Sequence, residues 1–201
     1  MSIILLGLNY KSAPVEIREK VSMSKSNIKR NLEFLQQMES VDGIAVLSTC
    51  NRTEFYMDAR DGSKAVKGLM KFISWYSKCP TELLEQHMYV KREREAVEHL
   101  FTVAAGLDSM ILGESQIQGQ VQDAYNYALE YRLSNNVINT LLMSALTLGK
   151  RVRTETYIDR QAVSISSAAV ELAKQELGTL DGKTVLIIGA GDTSELAARH
   201  L

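Results

Sequence analysis

Within its first ninety residues the chain alternates short apolar runs with amphipathic stretches in an order that leaves few folds open. Ile3-Ile4-Leu5-Leu6 reads as a strand, and residues 26–38 as a helix with Ile28, Leu32 and Leu35 at helical spacing. Residues 44–49 and 54–58 read as two further strands joined by the short connection Cys50-Asn51-Arg52-Thr53. A helix over 63–76 carries Val66, Leu69, Met70 and Ile73 on one side, and Met88-Tyr89-Val90 supplies a last strand. The order β-α-β-β-α-β predicts an α/β fold built on a split βαβ, ferredoxin-like unit. Cys50 then lies in the connection between two adjacent strands.

From Arg92 to about Arg153 the pattern is helical. The first helix puts Val97, Leu100, Phe101 and Ala104 on one stripe, with His99 on roughly the opposite side. That position argues against a core histidine and leaves a solvated side chain and a site residue both open. A glycine-bounded loop, residues 106–116, leads into a long helix with Ile117, Val121, Ala124 and Ala128 on its core face. Gln116 and Gln120 fall one turn apart on its flank, where amides serve either as paired donors and acceptors for a polar ligand or as a solvated surface. The next helix ends in Lys150-Arg151-Val152-Arg153, cations expected at a helix C-terminus on dipole grounds alone.

The last forty-odd residues have a different character. An alanine-rich helix over 162–177 is followed by a turn and the continuous apolar run Thr184-Val185-Leu186-Ile187-Ile188, which predicts a strand buried on both faces. It enters Gly189-Ala190-Gly191-Asp192-Thr193-Ser194 and a helical segment. This strand, glycine turn and helix N-terminus form the pattern that brings backbone N–H groups to a dinucleotide pyrophosphate. Ser194 stands where the usual fingerprint has its third glycine. With Leu201 inside that helix, the residue that selects between nicotinamide cofactors is not in view, and the expectation is a cofactor domain cut near its start.

Cys50 carries the sharpest chemical expectation. In a strand, residues two apart share a face, which sets Arg52 beside it. A neighbouring guanidinium favours the nucleophilic thiolate. A buried, inert cysteine is the competing reading, and the polar residues on both sides weigh against it. Cys50 and Cys79 make no disulfide framework, and neither an N-terminal signal nor a long apolar span is present, so a soluble cytoplasmic setting without a membrane is expected. Twenty-three basic and 24 acidic residues give a net charge of −1, so any RNA contact must be local.

Taken together, these segments resemble glutamyl-tRNA reductase over essentially the whole chain. The resemblance rests on Gly7-Leu8-Asn9-Tyr10-Lys11-Ser12-Ala13-Pro14-Val15-Glu16-Ile17-Arg18-Glu19, on Ser48-Thr49-Cys50-Asn51-Arg52-Thr53-Glu54, and on Gly106-Leu107-Asp108-Ser109. It rests also on Gly113-Glu114-Ser115-Gln116-Ile117, on Gly149-Lys150-Arg151-Val152-Arg153-Thr154-Glu155-Thr156, and on the glycine turn at Gly189. Tyr10 departs from a common histidine of the opening motif.

The resemblance implies residues 1–156 as a catalytic and glutamate-recognition domain, and 157–201 as a linker helix with the start of a Rossmann-type NADPH domain. It implies Cys50 as the nucleophile that takes the glutamyl group from glutamyl-tRNA as a thioester, which NADPH reduces to glutamate-1-semialdehyde, the first step of tetrapyrrole synthesis. It further implies His99 as a residue needed for activity and Thr49, Asn51, Arg52, Ser109, Glu114, Ser115, Gln116 and Gln120 as holding the glutamyl moiety. Residues Gly189 to Ser194 are implied as the nucleotide loop, with no metal. The implied partners are the substrate RNA, a second copy of the full-length protein, and the aminomutase that consumes glutamate-1-semialdehyde. Arg52 serves either the thiol or, through its fork, the substrate's side-chain carboxylate, and Lys150, Arg151 and Arg153 either touch RNA phosphates or form a solvated helix end. Two other classes stand beside this reading: a thiol acyl-transferase or esterase without redox chemistry, and a dinucleotide-sensing module with a structural Cys50.

Overall fold

The computed structural model describes residues 2–156, 158, 165–189 and 191–201. Its centre is a four-stranded sheet of β1 (Ser2–Asn9), β2 (Val41–Ser48), β3 (Arg52–Ala59) and β4 (Tyr89–Arg92). The strand order is β2-β3-β1-β4 and every neighbouring pair is antiparallel. Placing β3 beside β1 requires α1 (Val15–Val21), α2 (Lys25–Arg30) and α3 (Leu32–Gln36) to cross between β1 and β2. Likewise α4 (Gly62–Ser77) and α5 (Thr81–His87) cross between β3 and β4.

Alternation along the strands sorts side chains to two cores. Ile4, Leu6 and Leu8 of β1 and Phe55 and Met57 of β3 meet the helices α1 to α5, with Ile17, Leu69 and Ile73 among their neighbours. Leu5, Ala45, Leu47 and Tyr56 face the other way, onto α6 (Arg94–Ala104), α7 (Gln116–Glu130) and α8 (Asn136–Thr156). The sheet is therefore covered on both faces, and every residue of β3 is buried. Each fully buried Leu or Ile here contributes roughly 1.5–3 kcal/mol. Asp61 caps α4 by accepting from the N–H groups of Ser63 and Lys64, and Asn135 does the same for α8 at Val137 and Ile138.

Two expected elements differ. The helix expected over 26–38 breaks at Asn31, whose Nδ2 donates back to the Asn27 carbonyl at 2.8 Å and whose backbone leaves the helical region. A side chain that satisfies local backbone groups competes with helix continuation. Residues 184–188 form no strand: Leu186 and Ile188 are 82% and 89% exposed. Strand backbone needs a ladder, and among the described residues none runs beside this segment. The helix expected over 162–177 is seen as α9 (Ile165–Leu177), and residues 162–164 lie outside the described residues. After it, α10 (Asp192–His200) packs against α9. Among the described residues no helix is long and apolar enough to cross a membrane.

Candidate functional site

The β2–β3 connection is a turn held from three sides. Thr49 Oγ1 accepts the N–H groups of Asn51 (3.1 Å) and Arg52 (3.2 Å), while the Thr49 N–H donates to the Arg52 carbonyl (2.8 Å). This hydroxyl acts as a local backbone mimic. The Tyr10 N–H ties the Asn51 carbonyl to the end of β1 (2.9 Å), and Arg18 Nε reaches the Cys50 carbonyl from α1 (3.4 Å). Cys50 sits exposed at the apex, whereas Cys79 is buried.

Strand periodicity does not relate Arg52 to the thiol, because Cys50 lies in the turn and only Arg52 has entered β3. The arginine is 2% exposed, with Nη1 donating to Glu54 Oε1 (2.8 Å) and Nη2 to the Asp108 carbonyl (2.6 Å) and Oδ2 (3.1 Å). Desolvation works against its charge, yet Glu54 and then Tyr89 and Asp108 overcome it and hold the guanidinium protonated above its ordinary range.

Glu54 is the hub that sequence reasoning passed over. Its carboxylate is fully buried and accepts from Arg52, from Tyr89 Oη (2.6 Å) and from His99 Nε2 (2.8 Å) at Oε1, and from Tyr56 Oη (2.6 Å) at Oε2. Burial alone would push its pKa up; the His99 hydrogen bond and the Arg52 charge outweigh burial and bring it from 4.5 to about 2. Gly7 lies directly across from it in the β1–β3 register, and a Cβ there would stand 2.8 Å from Glu54 Cγ. The signal was present in the period-2 series Arg52, Glu54, Tyr56, polar side chains on one face of a strand whose other face carries Phe55 and Met57.

His99, on α6, is 11% exposed rather than solvated. An ionised carboxylate only accepts, so Nε2 carries the hydrogen in this contact and Nδ1 is the ring atom left for proton exchange.

The loop after α6 supplies the remaining wall. The Gly113 N–H closes on the Gly106 carbonyl (2.9 Å), with both glycines at positive φ. Between them Asp108 accepts from Arg52, Asn9 and Lys11, and its carboxyl is held below the usual range: burial raises it, but Lys11 and Arg52 lower it more. Ser109 takes a bond from Tyr10 Oη at its carbonyl (3.4 Å), and its Oγ is buried with no hydrogen-bond partner among the described residues.

The other expected residues are spread along this side. Glu114 and Ser115 offer their carbonyls to Arg153 (2.9 and 3.3 Å), and Gln116 opens α7 exposed. Gln120 lines a cavity of about 170 Å³ with Ser48, Met23, Ile28 and Tyr127. Arg153 therefore does not form a solvated helix end, whereas Arg151 stays outside, paired with Glu155.

In the glycine turn, Ala190 lies outside the described residues, as do the side chains of Asp192 and Thr193. Gly191 caps α10, its carbonyl accepting from Ser194 N–H (2.9 Å) and Glu195 N–H (3.1 Å), and among the described residues nothing occupies the space a Cβ would take. A glycine at this position leaves the backbone before α10 open to a phosphate group of a dinucleotide.

Residues 6–156 match the family model described as "Glutamyl-tRNAGlu reductase, N-terminal domain". The chain is 52% identical over all of its length to a glutamyl-tRNA reductase of Pelotomaculum thermopropionicum, and 48% identical over 98% of its length to one of Desulfitobacterium hafniense. In each case it spans 45% of the relative. The solved glutamyl-tRNA reductase of Methanopyrus kandleri superposes with a TM-score of 0.68 at 37% identity, over 98% of this chain and 46% of that one.

Proposed function

The chain belongs to the glutamyl-tRNA reductase family, and from that premise we propose that it captures the glutamyl group of glutamyl-tRNA on Cys50 for reduction to glutamate-1-semialdehyde. The observation that carries the reading is the exposed Cys50 on a turn pinned by Thr49, Tyr10 and Arg18, rooted through Arg52 in the buried Glu54–His99 network. In this reading the sheet, with its order 2-3-1-4 and antiparallel neighbours, is a ferredoxin-like unit with α6 to α8 added on its second face. Residues 1–156 form the catalytic and recognition domain, and residues 157–201 lead into a nucleotide domain.

The Cys50 thiolate attacks the ester carbonyl; a C–S bond forms, the C–O bond to the terminal ribose oxygen breaks, and that oxygen leaves with a proton. A thioester accepts hydride more readily than an oxygen ester, so the covalent stage divides one hard step into two easier ones. His99 Nδ1 is the atom suited to the proton transfer, with Glu54 fixing the ring through Nε2. Arg52 takes the substrate's side-chain carboxylate. Asp108, whose carboxylate is 15% exposed and also held by Lys11, marks a carboxylate position on that guanidinium and yields it to the substrate. The orphaned Ser109 Oγ is free to bond the same ligand. NADPH, when bound at the Gly189–Ser194 turn, supplies the hydride.

The test gives radiolabelled glutamyl-tRNA and NADPH to a protein of the relatives' full length carrying this sequence. Label should appear as the aldehyde. Label found only as free glutamate at saturating NADPH would establish an esterase instead.

A further inference from the structure

We propose that Arg153 is a positioning residue for substrate selection: by bonding the Glu114 and Ser115 carbonyls it holds the recognition segment 114–116 in place, and it links that segment to the C-terminal end of α8. The inference rests on the reading of function above and deepens it.

Arg153 lies in the last turn of α8. Its Nη1 donates to Gln118 Oε1 at 2.7 Å and to the Ser115 carbonyl at 3.3 Å, and its Nη2 to the Glu114 carbonyl at 2.9 Å. One planar fork thus spans three acceptors at the start of α7, a geometry that the single ammonium of lysine does not reproduce. Arg151, two residues earlier, points out to Glu155 and serves as the contrast within the same turn.

The chain that follows α8 also packs against the residue before the segment. Gly113 has φ +79°, and a Cβ on it would stand 2.7 Å from the Ile158 carbonyl. The 106–116 loop is thereby held by both Arg153 and Ile158 at its far end, while its near end delivers Asp108 to Arg52. A shift of the segment leaving α8 moves the walls that face the glutamyl side chain. The Cys50 turn has its own ties to Tyr10 and Arg18 and is held independently of Arg153. Loss of Arg153 should therefore blur which aminoacyl group is accepted without disabling the thiol.

The test compares Arg153→Gln, Arg153→Lys and Gln118→Ala with the unaltered protein, measuring covalent labelling across concentrations of radiolabelled glutamyl-tRNA and aspartyl-tRNA. Both Arg153 variants should raise the half-saturating glutamyl-tRNA concentration about 10- to 100-fold and reduce the glutamyl preference correspondingly, with little change in the saturating labelling rate. Gln118→Ala, which removes one acceptor and leaves both carbonyls bonded, should move the same way by less. An unchanged preference in all three, or an equal loss for both substrates accompanied by a lowered melting temperature, overturns the positioning role. Absence of labelling in the unaltered protein overturns the functional reading itself, and this inference with it.

Discussion

Replacing Glu54 by glutamine tests the buried hub with almost no change of shape. The carboxylate receives four donors, from Arg52, Tyr89, His99 and Tyr56, at 2.6–2.8 Å. Glutamine offers one carbonyl oxygen and places an NH2 where another acceptor stood, while Arg52, 2% exposed, keeps only Asp108 as a charged partner. Breaking a buried ion pair by neutralising one side costs about 3–5 kcal/mol. The depressed pKa of Glu54 leads to a similar figure: its fall from 4.5 to about 2 corresponds, at about 1.4 kcal/mol per unit, to roughly 3 kcal/mol. Because the folded-state value is depressed, this stabilisation is present above pH 4.5 and disappears as pH falls through about 2. By pH 3 about 2 kcal/mol of it should be gone. Urea unfolding of both proteins, followed by circular dichroism at pH 7 and pH 3, should show Glu54→Gln less stable by about 3–5 kcal/mol at pH 7 and a gap about 2 kcal/mol smaller at pH 3. A gap below about 1 kcal/mol at pH 7, or one indifferent to pH, would refute the role given to the carboxylate.

Two further outcomes follow from the same geometry. Iodoacetamide on the native protein should modify Cys50 and spare Cys79, read by peptide mass spectrometry, since only the first is exposed; modification of both at equal rates would contradict the burial of Cys79. Gly7→Ala places a methyl 2.8 Å from Glu54 Cγ and 3.0 Å from the Thr53 carbonyl. It should cost about 1–3 kcal/mol in urea unfolding through overpacking of an interior strand pair, and a neutral result would mean that Glu54 has room to move.

How much of this was legible in the sequence depended on whether local pattern or a distant partner decides the outcome. The four strands were legible because each contains a short stretch of apolar or aromatic residues, although β3 extends two residues earlier than its pattern suggested, to Arg52, and β4 runs on through Lys91 and Arg92. That extension removes the periodicity argument that set Arg52 beside Cys50, since strand periodicity holds only where the chain is strand, and Cys50 is not. The helix over 26–38 failed at Asn31, whose side chain competes for backbone groups in a way that hydrophobic spacing does not register. His99 was left undecided because its partner, Glu54, is 45 residues away on another element. Arg153 looked like a cation on a helix end, and its partners on the 114–118 segment lie beyond any local pattern. The apolar run 184–188 carries strand propensity, but a strand exists only when another completes its ladder.

The central claim is that Cys50 takes the glutamyl group from RNA onto its sulfur. Incubating the protein with radiolabelled glutamyl-tRNA and recovering it after denaturation measures this directly. Label should remain covalently attached, be released by hydroxylamine, and be absent from Cys50→Ser. Attachment that persists in Cys50→Ser would contradict the account.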